Sequence, residues 1–99
     1  MEKQMNVHPG EMLREDFLKP MGITAYKLAK SIGVSDSRVG KIVREEMGIS
    51  GEMALRLSKF FGNSPEFWSN LQSFYEIRKA QIEKEDDINK IQPYTKQAV

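Results

Sequence analysis

Apolar residues recur at helical spacing through most of this 99-residue chain, and the tightest pattern lies between residues 25 and 44. There Leu28, Ala29 and Ile32 form one stripe, Gly33 supplies a residue free to take positive φ, and Val39, Ile42 and Val43 form a second stripe. Ser35 is placed to cap the second helix. The pattern predicts two helices joined by a short turn, a helix-turn-helix, and two helices crossing so closely need a small residue at the contact, which Ala29 provides. Ser37, Arg38, Lys41 and Arg44 fall outside the apolar stripe of the second helix.

The flanking sequence predicts three further helices. The first begins at His8-Pro9-Gly10-Glu11, with Pro9 at the first helical position and Glu11, Glu15 and Asp16 biasing acid toward its N-terminal half. Met12, Leu13, Phe17 and Leu18 are its expected buried side, and Pro20 with Gly22 is expected to stop it. After Thr24 caps the helix that ends at Gly33, and the helix from Asp36 closes at residues 44–48, Ser50 caps a fourth helix over 51–61. Its expected buried stripe is Met53, Ala54, Leu57, Phe60 and Phe61, with Gly62 as stop. Ser64-Pro65-Glu66 starts a fifth helix carrying Phe67, Trp68, Leu71, Phe74 and Tyr75 inward, with Trp68, Phe74 and Tyr75 as a possible dimer interface. Helix is expected to fade beyond Ile82, and residues 83–87 read as a charge run leading into a fraying tail. The fold class is therefore all-α, with a flexible lead at 1–7, a helix-turn-helix domain at 8–78, and a helical extension and flexible tail at 79–99.

Composition narrows the class. Hydrophobic residues make up 39% of the chain, enough for one modest core without staples, and there is no cysteine for a disulfide, thiolate nucleophile or zinc finger. No apolar run approaches a signal sequence or a membrane span, so a cytoplasmic protein without a membrane partner is expected.

The net charge is only +1, but it is unevenly distributed. Between Thr24 and Arg44, Lys27, Lys30, Arg38, Lys41 and Arg44 face a single acid, Asp36. A local basic patch is what contact with phosphates requires. Ser37, Arg38 and Lys41 are the candidate base readers, Arg38 by bidentate contact to guanine. Thr24, Tyr26, Lys27, Lys30 and Arg44 are the candidate phosphate contacts, the first three grouped at a helix N-terminus. Gly40 in mid-helix points to close approach, either to a groove or to another part of the protein. Glu45 and Glu46 run against a segment expected beside phosphates. His8 is the only histidine and has no second ligand or nucleophile at motif spacing, so it is expected to cap or pack. Nothing in the chain supports an enzyme, a metal site or a cofactor.

With His8-Pro9-Gly10-Glu11, the 25–44 unit, Ile49-Ser50 before Ala54-Leu55-Arg56-Leu57, and the run from Ser64 to Gln72 in hand, the chain resembles the HigA-type, virulence-associated-protein-I-like antitoxins. These belong to the Xre-type, lambda-repressor-like helix-turn-helix proteins. The resemblance spans about residues 7–78 and implies a five-helix DNA-binding domain with a C-terminal helical extension. It further implies a homodimer that binds a palindromic operator in its own promoter, represses that operon, and neutralises a small RelE-like toxin that cleaves messenger RNA. Relatives commonly carry an Asn-Gly-Lys-Arg-like basic turn after the recognition helix, where this chain has Arg44-Glu45-Glu46-Met47. That departure keeps two alternatives open: a toxin-binding interaction module with weakened DNA binding, or a stand-alone Xre-type regulator.

Overall fold

The computed structural model describes residues 6–95, which are helical without strands. Residues 1–5 of the expected lead and 96–99 of the expected tail lie outside the described residues.

The first helix, α1, is one rod of three segments: Pro9–Met12, Leu13–Leu18 and Lys19–Met21. Its middle segment is wound as a π-helix, with the Lys19 N–H donating to the Arg14 carbonyl. The rod ends at the expected place, with Pro20 in its last turn and Gly22 carrying the stop. In α-helical winding the proline ring meets the carbonyl four residues back; the wider π turn relieves that clash. Gly22, at φ 65°, ends the rod.

The remaining helices are α2 (Ala25–Ile32), α3 (Asp36–Val43), α4 (Gly51–Phe61), α5 (Pro65–Glu83) and α6 (Glu85–Asn89). Thr24, Ser35, Ser50 and Ser64 cap α2 to α5, each side chain accepting the N–H of the residue three further on. Gly33 and Gly62 close α2 and α4 in the left-handed conformation. α6 overlaps the charge run at 83–87 and extends past it, and its residues are exposed.

Leu13, Leu28, Val39, Ile42, Met53, Leu57 and Trp68 form the fully buried centre. Phe17 and Phe61 stack against Trp68 with ring centroids 4.9 and 5.8 Å away, closing α1 over α4 and α5. Two expectations for the aromatic stripes are corrected here. Phe60 is 37% and Phe67 36% exposed, because the α4 and α5 stripes are broader than the surface available to cover them. Trp68 is 0% exposed and donates its Nε1 hydrogen to Asn63 Oδ1 at 2.9 Å, so it has no surface to give a partner and is not a dimer contact.

His8 caps α1: its Nδ1 accepts the Gly10 N–H at 2.9 Å, and its buried ring meets Tyr75 edge-on at 4.7 Å. Burial holds its pKa below the ordinary 6.5, outweighing the opposing field of Glu45. The unfolded chain then takes up a proton that the folded chain refuses, so this stability is present above pH 6.5 and is lost as pH falls below it. Melting curves between about pH 7 and pH 5 should show wild type losing stability relative to His8→Asn, which keeps a cap but does not titrate. Parallel curves for the two proteins would refute the assignment.

Candidate nucleic-acid interface

The candidate interface is built on α2, the turn after it, and α3. Leu28, Ala29 and Ile32 from α2 and Val39 and Ile42 from α3 are buried, leaving the opposite faces of both helices outward. Gly33, at φ 74°, turns the chain, and the Val34 N–H returns to the Ala29 carbonyl at 3.1 Å. Arg56 of α4 adds a brace, donating from Nη1 to the Ile32 carbonyl at 2.7 Å while pairing with Glu52 at 2.9 Å.

On α3, successive residues advance by about 100°, so Ser37, Lys41 and Arg44 share one exposed face opposite Val39 and Ile42. Arg38 is set apart from them. It lies half-buried at the flank, with Nη2 donating to Ser50 Oγ at 3.2 Å, at the N-terminus of α4. Gly40 lies between the outward residues, and a methyl group there would meet only the flexible end of Arg44, at 3.0 Å. Of the two explanations for Gly40, close packing inside the protein therefore has no backbone contact to support it.

Along α2, Thr24, Tyr26, Lys27 and Lys30 are all exposed. Thr24 Oγ1 takes the Lys27 N–H at 3.0 Å and so caps the helix start. The Lys30 ammonium sits 5.5 Å from the centre of the Tyr26 ring.

The acids that ran against a basic surface are both paired. Glu45 reaches Arg14 Nη2 at 3.2 Å, and Glu46 accepts from Arg44 Nε at 3.2 Å. Glu45 is also the only non-glycine residue at positive φ among the described residues, at 64°.

Three residues outside the predicted contact surface hold it in place; Gly10 and Gln72 stand in the quoted motifs, Arg14 in none. Gly10 presses α1 against α3: a Cβ on it would lie 1.8 Å from the Ile42 carbonyl oxygen. Arg14 donates to the Val43 carbonyl at the end of α3. Gln72 of α5 accepts the Ile49 N–H at 2.7 Å and so holds the loop between α3 and α4. Each contact joins residues more than twenty positions apart, which local spacing does not reveal.

Among the described residues no cluster of His, Asp or Glu could hold a metal ion, and no helix is long and apolar enough to cross a membrane.

A helix-turn-helix family model matches residues 15–68. Virulence-associated protein I of Dichelobacter nodosus is 47% identical over 93% of this chain and 84% of its own. Antitoxin HigA-1 of Vibrio cholerae is 32% identical over 92% of this chain and 86% of its own. Among solved structures, the Pseudomonas aeruginosa antitoxin HigA with the higBA promoter superposes with a TM-score of 0.88 at 41% identity, covering 92% of this chain and 100% of that one. The chain belongs to the helix-turn-helix family, in its HigA-type, virulence-associated-protein-I-like branch.

Proposed function

We propose that this protein is the antitoxin and transcriptional autorepressor of a toxin-antitoxin operon, binding a palindromic operator as a dimer and neutralising a RelE-like, messenger-RNA-cleaving toxin. The observation that carries the DNA reading is the single outward face of Ser37, Lys41 and Arg44 beside the capped N-terminus of α2. Its match to the P. aeruginosa antitoxin structure with promoter DNA supports the same reading. In this reading each protomer lays α3 in one major groove, with half-sites about 34 Å apart. Ser37, Arg38 and Lys41 read base edges; Thr24, Tyr26, Lys27, Lys30 and Arg44 take phosphates. Phe74, 67% exposed, with half-buried Tyr75 beside it, is the dimer surface.

The pairing of Glu45 with Arg14, a residue outside the proposed contact surface, favours this reading over a toxin-binding module with weakened DNA binding.

The test is binding of the purified chain to its own upstream DNA and to a scrambled duplex over a range of salt. Wild type should prefer the upstream DNA and lose affinity steeply with salt. Lys27→Ala should weaken both duplexes alike and reduce the salt slope by about 1. Lys41→Ala should cost about 1–3 kcal/mol on the operator and little on the scrambled duplex. Equal, weak binding of wild type to both duplexes would refute the repressor reading.

A further inference from the structure

The C-terminal turn of α3 is held by α1 at two points. Gly10 allows the α1 backbone to rest on the Ile42 carbonyl, and Arg14, one turn along, divides its guanidinium between the Val43 carbonyl and the Glu45 carboxylate. Glu15 steadies the fork from behind, accepting from Arg14 Nε at 2.8 Å while pairing with Lys19 at 3.0 Å. The turn itself is closed by two backbone bonds: Glu45 N–H to the Ile42 carbonyl at 2.9 Å and Glu46 N–H to the Lys41 carbonyl at 2.8 Å. That closure puts Glu45 at the left-handed position where glycine is usual.

We infer that Arg14 is a positioning residue beside the reading helix: by drawing the Glu45 carboxylate toward α1 it cancels that charge next to the DNA. The inference rests on the DNA-binding reading above. Lys41 and Arg44 on the outward face lead directly into this turn, so a free carboxylate at Glu45 would stand next to the phosphates and repel them. Arg14 removes that repulsion without touching DNA. It draws the carboxylate toward α1 and, through the Val43 carbonyl, ties that charge pair to the helix it serves.

The experiment uses the full-length chain below its melting temperature, with the upstream and scrambled duplexes at several salt concentrations. Arg14→Met keeps the aliphatic stem but frees Glu45, and should lower affinity for the upstream DNA by about tenfold, the scale of one uncompensated charge near phosphates. Adding Glu45→Gly to Arg14→Met removes that charge and suits the left-handed backbone, and should restore affinity to within about threefold of wild type. Arg14→Lys keeps a positive charge but cannot bond both partners as a planar fork, so it should fall between Arg14→Met and wild type.

A purely structural role predicts something else: Arg14→Met lowers the melting temperature but leaves affinity and operator preference unchanged. That result, or a loss that Glu45→Gly does not restore, overturns the inference. If wild type itself shows no preference for the upstream DNA, the functional reading fails, and the inference with it; the wild-type titration alone distinguishes the two cases.

Discussion

Gly10→Ala should lower the melting temperature by about 12–24 °C. The added methyl would lie 1.8 Å from the Ile42 carbonyl oxygen, and that oxygen belongs to backbone at the end of α3, which cannot swing aside as a side chain does. Overpacking a filled site costs about 1–3 kcal/mol, and a backbone collision belongs at the top of that range. For a domain of this length each kcal/mol moves the midpoint by about 4–8 °C. Alanine is otherwise the better helix former by up to about 1 kcal/mol, so without the contact the same substitution would stabilise. Gly40→Ala is the control, because a methyl there meets only the movable end of Arg44. It should leave the midpoint unchanged or raise it. Circular dichroism melts of the two variants decide the matter by sign, and a Gly10→Ala protein as stable as wild type would show that α1 does not rest on α3.

Trp68→Ala should cost about 3–5 kcal/mol, a large part of the roughly 5–15 kcal/mol that holds a domain of this kind. The indole is the largest fully buried side chain and touches Phe17, Phe61 and Phe67 at once, so its removal opens a cavity where α1, α4 and α5 meet. It also leaves Asn63 Oδ1 without its donor. Trp68→Phe keeps part of the ring contact but loses that hydrogen bond, and should fall between the two. Urea unfolding followed by far-ultraviolet circular dichroism measures the series without relying on the tryptophan itself. Phe74→Ala provides the contrast: an exposed ring should cost the single chain no more than about 0.5 kcal/mol, and its loss should instead weaken self-association. A Trp68→Ala midpoint close to wild type would return Trp68 to the surface.

Both substitutions concern residues whose importance is only partly visible in the sequence. Trp68 stands out as an aromatic at helical spacing, yet the stripe that contains it also holds Phe67 and Phe74, and periodicity alone does not rank them. Neighbouring helices decide that Trp68 is covered on all sides while Phe74 is left outside. Gly10 is conspicuous only as part of His8-Pro9-Gly10-Glu11, where it looks like an ordinary residue in a first turn. The reason no side chain can stand there lies on another helix, at Ile42.

The same division runs through the candidate interface. The outward placement of Ser37, Lys41 and Arg44 follows from helical geometry once Val39 and Ile42 are seen to point inward, so it can be read from the chain directly. Arg38 cannot be placed this way. Its guanidinium is drawn to Ser50, twelve residues away. Nor does the sequence show how Glu45 and Glu46 coexist with a basic surface, since one of them answers to Arg14, 31 residues back.

Local structure is written in the chain alone: four serine or threonine caps, the glycine stops, the helix-turn-helix stripes and the uneven distribution of basic charge. These are interactions among residues within about one helical turn of each other, and side-chain chemistry at a fixed spacing is enough to specify them. Packing between distant segments settles the rest: the π-wound stretch of α1 just ahead of Pro20, which aromatic faces are covered, and the hold of α1 on the end of α3 through Gly10 and Arg14. Those outcomes depend on surfaces brought together from distant parts of the chain, and their energies exist only once the helices are packed.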